Sequence, residues 1–157
     1  MLPLFSVLLL FAVGSPADFS SLQFEVGTWN CTGKTVNGDA FGAAKIVEMS
    51  ADGNHMLIRA ADKKAGGTID LSYDATRGVW VEKASGPNDS HSEGTSPGWV
   101  EDKLVFLGQT IYPSLAPIDY RITTIKLSDT ATTEIEELKK RAGGWLEVAR
   151  AHCDKTP

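Results

Sequence analysis

The chain has 157 residues, with 20 acidic and 15 basic side chains and a formal net charge of −5. This length suits one domain with a sizeable core. The acidic balance disfavours binding to nucleic acid or to anionic membrane surfaces.

An apolar run near the N-terminus indicates a secretory signal peptide. Residues 4–13 are almost wholly apolar, and the run is too short to span a bilayer comfortably. Ser15 and Ala17 give the small-x-small pattern of a cleavage site. We predict a signal peptide over 1–17, a single domain over 18–157 without a membrane span, and a secreted or periplasmic protein. Because no Lys or Arg precedes the run, the alternatives are an N-terminal anchor or a misplaced start.

The first predicted element after the signal is a short helical turn. Asp18 or Ser20 would cap it. Phe19, Leu22 and Phe24 would face the core. Downstream, short segments separated by turn residues every eight to twelve positions or so are typical of an all-β sandwich or barrel.

Ten of these short segments have the composition or alternation of β-strands. In 68–73, for example, Ile69, Leu71 and Tyr73 alternate with polar residues, which indicates one buried face. The segment 131–138 has enough Glu and Lys for a helix, but its Thr and Ile content favours a strand. The predicted strands are 28–35, 41–49, 55–61, 68–73, 79–84, 91–95, 103–112, 118–127, 131–138 and 145–153.

The two cysteines suggest how the sheet closes. Cys31 lies in the first predicted strand and Cys153 in the last. In an oxidising compartment they would form one disulfide joining these strands, which predicts a closed antiparallel up-and-down barrel of about 8–10 strands. The alternative is two free or intermolecular thiols.

A disulfide at this seam would fix which side chains face inward, because side chains alternate along a strand. With both cysteines inward, Trp29 points inward, and Asn30 and His152 point outward. Glu147 would also point inward unless the last strand bulges. A buried carboxylate needs a partner, for which Arg59, Arg121 and His55 are candidates.

The segment that contains Gly27 and Trp29 resembles the start of lipocalin-type (calycin) barrels. In those barrels a G-x-W begins the first strand after a helical turn, and the Trp plugs the closed end. Asp119-Tyr120 is similar to part of the second lipocalin motif, T-D-Y. The resemblance also implies an arginine packed on the Trp, for which the candidates are Arg121, Arg141 and Arg150.

The whole domain resembles a group of secreted bacterial-type barrels whose function is not established. They begin with G-x-W-x-C, carry a Tyr-Asp-Ala turn and a later strand Trp, and end with a strand Cys. Here these elements are residues 27–31, 73–75, Trp80 and Cys153. Nitrobindin-like haem barrels also begin with G-x-W, and His152 lies near a plausible ligand position, so haem binding is a further alternative.

Barrels of this size can enclose one small ligand. We predict that aromatic and charged side chains line such a cavity, although core packing is the simpler role for the aromatics. The loop over 85–98 would act as a lid. The candidate ligand-binding residues are Trp80, Trp99, Phe106, Tyr120, Arg59 and Glu147, and the structural ones are Trp29, Cys31 and Cys153.

The sequence favours a monomeric or weakly dimeric barrel that binds a small hydrophobic molecule, without a cofactor, a metal or catalytic residues. No nucleophile motif, phosphate-binding loop or metal-spaced cluster is evident. The alternatives are an isomerase-type or cyclase-type enzyme that uses inward polar groups such as Glu147, Arg59 or Tyr120, and an interaction module with a filled core.

Overall fold

The computed structural model describes residues 19–62 and 66–157. The predicted signal peptide over 1–17 lies outside these residues, as do the proposed helix cap Asp18 and residues 63–65 between the predicted strands 55–61 and 68–73. Within the described ranges, no helix has the length and apolar character needed to cross a membrane.

These residues form one short 3₁₀ helix and eleven strands. The helix, Phe19–Glu25, is the predicted helical turn. The strands are β1 (Gly27–Thr35), β2 (Ala40–Met49), β3 (His55–Ala60), β4 (Thr68–Asp74), β5 (Val79–Ser85), β6 (His91–Ser96), β7 (Trp99–Val100), β8 (Lys103–Ile111), β9 (Ile118–Ser128), β10 (Ala131–Lys139) and β11 (Trp145–Lys155).

Ten of the strands in the described ranges close into an antiparallel barrel. Strands β1 to β6 pair in sequence order, β6 pairs with β8, and β8 to β11 continue the meander. Strand β11 then pairs with β1 and closes the ring. Strand β7 is an extra two-residue strand that pairs with β8. The predicted all-β, closed, up-and-down architecture is confirmed.

All ten predicted strands are present, and β7 was not predicted. The largest correction concerns the segment 85–98, which was predicted to be a lid. Six of its residues, His91–Ser96, form β6, which pairs with β5 and β8 as part of the barrel wall. This strand contains only polar residues and one glycine, so it has no hydrophobic alternation. Backbone pairing on both sides holds it in place.

The 3₁₀ helix closes one end of the barrel. Phe19 and Leu22 are buried, and the Phe19 ring packs edge-on against Trp80 at a centroid distance of 4.8 Å. Trp29 is 0% exposed, and its Nε1 donates a hydrogen bond to the backbone oxygen of Glu25 at 2.7 Å. The helix and the first strand are thus joined through the Trp that the lipocalin resemblance places at the closed end.

The predicted disulfide between Cys31 and Cys153 is present, and the two residues lie directly opposite each other in β1 and β11. Trp29 is buried on the same side of β1, whereas Asn30 is exposed on the other. His152 is also exposed. The register that was inferred from the seam is therefore confirmed for these residues.

A β-bulge interrupts the register between β10 and β11. Glu136 lies opposite Ala149, but the next residue, Glu137, lies opposite Glu147. Val148 is therefore the extra residue on β11. A bulge of this kind reverses the facing of all residues beyond it.

The bulge places Glu147 outside the barrel. Its side chain is exposed, and its carboxylate accepts hydrogen bonds from the Arg150 guanidinium at 2.8 and 2.7 Å. The prediction that Glu147 points inward is wrong, because strict alternation does not hold along this strand. The interior partners predicted for it, Arg59, Arg121 and His55, are consequently not needed.

Two lysines, rather than an arginine, approach the ring of Trp29. The Nζ atoms of Lys45 and Lys155 each lie 5.7 Å from the ring centroid. Arg121 instead lies over the ring of Trp145, at 4.9 Å. The arginine partner implied by the lipocalin resemblance is therefore wrong for this chain, where the cations come from β2 and β11.

Candidate ligand-binding site

The end of the barrel opposite the helix contains an open upper compartment of about 250 Å³. Its lining includes the ring of Phe41 and three small side chains, Ala43, Ala149 and Ala151. Ala43 and Glu136 are exposed although they line this interior space. Solvent, and therefore a small solute, has access to the barrel interior from this end.

A lower compartment of about 150 Å³ lies deeper, above the 3₁₀ helix. Most of its wall is apolar, as expected for a site that binds a small organic molecule. The apolar lining consists of Leu22, Met56, Ile58, Ile69, Leu71, Leu104, Phe106 and Ile122. The polar lining consists of Glu25, Lys45, Glu82, Thr124 and Glu134.

An ion pair lies where the two compartments meet. Lys45 on β2 and Glu134 on β10 form a short charge-assisted contact, and both residues, with Ile122, line both spaces. The Glu134 carboxylate and the sulfur atoms of Cys31 and Cys153 lie within 4.8 Å of one another. The disulfide thus occupies the barrel wall beside the ion pair, and its sulfurs are bonded to each other rather than available as thiolates.

Glu82 and Tyr120 form a buried pair inside the barrel. Glu82 is 7% exposed, and the Tyr120 hydroxyl donates a hydrogen bond to Glu82 Oε1 at 2.7 Å. The pair sits against Gly94 and Gly108, which lie opposite each other in β6 and β8. A Cβ at Gly94 would be 2.4 Å from the Tyr120 hydroxyl oxygen, and one at Gly108 would be 2.6 Å from it. The two glycines therefore provide the space that this pair occupies.

Burial perturbs the acidity of the interior groups. It raises the pKa of Glu82 to about 7, although the hydrogen bond from Tyr120 acts in the opposite direction. Burial, with the nearby Glu82 charge, raises the pKa of Tyr120, so the phenol remains a donor. Burial also raises the pKa of Glu25 and of Glu136. These interior carboxyl groups therefore hold their protons to higher pH than exposed ones.

Glu82 should make the protein less stable as the pH rises. Its ordinary pKa is 4.5 and its folded pKa is about 7, so between these values the folded state binds more protons than the unfolded state. The free energy of unfolding should therefore fall by on the order of 2 kcal/mol from about pH 5 to about pH 8 through this group. Glu82→Gln should remove this decrease, as measured by urea denaturation across the range.

Glu147→Gln is the matched control for this measurement. The hydrogen bonds from Arg150 lower the pKa of Glu147, so its carboxylate is ionised in both states above about pH 5. The control should keep the pH slope of the unmodified protein. Equal slopes in the unmodified protein and in Glu82→Gln would show that Glu82 does not titrate as described.

Two of the six predicted ligand-binding residues belong to the interior site. Phe106 lines the lower compartment, and Tyr120 is buried and bonds to Glu82. Trp80 is buried at the closed end, where its ring packs on Phe19 and Tyr73. Its place is in the core below the cavity.

The other three predicted residues lie away from the interior lining. Trp99 belongs to β7 and packs against Phe24 at a centroid distance of 5.7 Å. The Arg59 side chain lies on the outer face of β3 and pairs with Glu48 at 3.4 Å. The prediction that Arg59 and Glu147 supply polar groups to the interior is wrong, because both form ion pairs on the outer surface.

Sequence reasoning missed the interior carboxyls and the interior lysine. Glu82 follows Trp80 by two residues in β5, so it shares the inward face of that strand. Lys45 lies between Ala43 and Val47 on the inward face of β2 in the same way. Alternation from Trp80 and from Val47 could have identified both, because each lies two residues from a buried apolar side chain on the same strand.

A concavity of about 820 Å³ lies on the outer surface over β1 and β11. Outward-facing residues such as Lys34, Arg150 and His152 line it. It is a shallow groove without the enclosed apolar wall that a small-molecule site requires. The enclosed space inside the barrel is therefore the better candidate site.

No protein-family model and no curated protein matches this sequence. Among solved structures, the chain is similar to a redesigned β-barrel, mFAP1, bound to DFHBI, with a TM-score of 0.43 and 14% identity over 86% of this chain and 98% of that one. EF1p2_mFAP2b bound to DFHBI gives a TM-score of 0.44 and 14% identity over 87% and 97% of the two chains. Similarity at this level identifies no ligand, and membership of the G-x-W-x-C group stays a prediction.

Proposed function

We propose that this protein is a secreted barrel that binds a compact, mainly apolar molecule in its interior. The observation that carries the proposal is the pair of adjacent compartments inside the barrel, which share Lys45, Ile122 and Glu134 and have a largely apolar lining. The few polar groups inside, such as Glu82 and the Lys45–Glu134 pair, would orient such a molecule. The size of the space suits a ligand of one or two rings rather than a long-chain lipid.

The proposal predicts that filling the upper compartment blocks binding. Ala43 lines this compartment, whereas its neighbour Ala44 lies on the other face of β2. We expect Ala43→Leu to weaken the binding of 2-naphthol by about tenfold or more, since each added carbon occupies ligand volume. Titration followed by NMR chemical shifts of the backbone amides measures the dissociation constant and maps the shifts.

Ala44→Leu is the control, because it adds the same side chain to the outer face of the same strand. It should leave the affinity for 2-naphthol unchanged. Amide shifts confined to the outer groove over β1 and β11 would contradict the proposal, as would saturable binding that is equal in the two variants.

Glu82 supports a second candidate function, an enzyme that moves a proton on a bound apolar substrate. A general acid or base works best when its pKa is near the working pH. Burial raises the pKa of Glu82 to about 7, and its carboxyl faces the lower compartment. Glu82→Gln separates the two candidates, since binding of a neutral molecule survives this substitution and proton transfer does not.

A further inference from the structure

The charges that line the interior are unbalanced. Among the described residues that line the two compartments there are four carboxyl groups and a single ammonium group. These groups are Glu25, Glu82, Glu134, Glu136 and Lys45. Among the lining side chains, carboxyl groups therefore outnumber ammonium groups, and Lys155 and Lys126 act on Glu25 from outside the lining.

The one interior ammonium group is already engaged. Lys45 forms its ion pair with Glu134, which compensates both charges. The charge of Lys45 also lowers the pKa of Glu25, as do Lys155 and Lys126, but burial outweighs all three. No lining cation is therefore left to receive an anionic group from a ligand.

Glu25 is a buried carboxyl group without a hydrogen-bond donor among the described residues. It is 8% exposed and lines the lower compartment, and its backbone oxygen, not its carboxylate, accepts the bond from Trp29. Glu82 lines the same compartment and has one donor, Tyr120, on Oε1. Buried carboxylates are costly unless donors satisfy them, so these two groups favour a ligand that brings N–H donors.

We propose that the ligand is a compact apolar molecule with a protonated amine, whose ammonium group is received by one of the two donor-poor carboxyls of the lower compartment, Glu25 or Glu82. This inference rests on the proposed function and specifies its ligand class. The apolar body of the ligand contacts the wall formed by residues such as Met56, Leu71 and Phe106. An ammonium group has three donors and a charge opposite to that of the carboxylates, so it satisfies both requirements of the compartment.

A carboxylate ligand of the same size fits this interior poorly. It would add a negative charge to a compartment where three carboxyl groups face one paired ammonium. The affinity of a neutral alcohol should lie between those of the amine and the carboxylate, because the alcohol can donate one hydrogen bond but carries no charge. The proposal therefore predicts an order of affinity, amine above alcohol above carboxylate.

Three matched probes test this order: 2-phenylethylamine, 2-phenylethanol and phenylacetate. Each is titrated into the purified protein by calorimetry slightly above neutral pH. We expect the amine to bind about tenfold more tightly than the alcohol, as one charge-assisted hydrogen bond provides, and phenylacetate to give no measurable binding. Glu25→Gln or Glu82→Gln, whichever removes the receiving carboxylate, should reduce the preference for the amine to about threefold or less.

Glu147→Gln is the control variant, since it removes the same charge from the outer surface and should retain the full preference. If the alcohol or phenylacetate binds as tightly as the amine, the ligand class is wrong while the proposed function stands. If none of the three probes binds, and 2-naphthol does not bind either, both are wrong. An amine preference that persists in both Glu25→Gln and Glu82→Gln also overturns the proposal that one of these carboxyls receives the ammonium group.

Discussion

Trp29→Ala should destabilise the protein by about 3–5 kcal/mol, the usual cost of removing a fully buried aromatic side chain. Trp29 is 0% exposed and packs beneath the interior cavity. Its Nε1 also bonds to the backbone of Glu25, so the substitution removes the link between the 3₁₀ helix and β1. Urea denaturation followed by circular dichroism gives the free energy of unfolding.

Trp145→Ala provides the matched control, because Trp145 is partly exposed and its ring lies beneath Arg121 on the outer surface. This substitution should cost about 1 kcal/mol or less, the range of an exposed cation–π contact. A similar loss for the two tryptophans would mean that Trp29 does not support the closed end in the way described.

Removal of the disulfide should have a comparably large effect. Cys31 and Cys153 are 122 residues apart in sequence, so their bond restricts nearly the whole unfolded chain. The chain-entropy relation gives a loss of about 5 kcal/mol for a loop of this length. We expect this loss, or most of it, when Cys31 and Cys153 are both replaced by Ala, as measured by urea denaturation.

Reduction of the unmodified protein is the independent comparison. A dithiol reductant should lower its stability to that of the double alanine variant and leave the variant unchanged. Ellman titration of the unfolded, unreduced protein should detect no free thiol, because both cysteines are paired. Two titratable thiols, or a loss below about 1 kcal/mol on reduction, would contradict the role given to the seam.

Most of the wall could be predicted from the sequence because its strands repeat with a period of two and end at turn residues. For example, the alternation in β4 correctly predicted that Ile69, Leu71 and Tyr73 face inward. The two cysteines supplied the long-range information, since they fixed the neighbours of β1 and β11 and the facing of Trp29. Local patterns alone cannot provide such a pairing.

The candidate site was harder to predict for two physical reasons. The first is the bulge at Val148, where one extra residue in β11 reverses the facing of Glu147. No Gly or Pro in this strand indicates the bulge in the sequence. The second is that the inward charged residues were predicted to be Arg59 and Glu147, whereas Lys45 and Glu82 are the ones that point inward. Each has a partner on a strand distant in sequence, Glu134 or Tyr120, and this compensation exists only in the folded barrel.

The pairing of β6 with β8 also decides how this protein can meet other chains. In an open sheet, the first and last strands have unpaired N–H and C=O groups that invite strand addition and aggregation. Here the wall strands have neighbours on both sides around the ring, and β7, which covers Trp99–Val100, is too short to act as a template. Association with another copy or another protein would therefore depend on side-chain surfaces rather than on shared backbone hydrogen bonds.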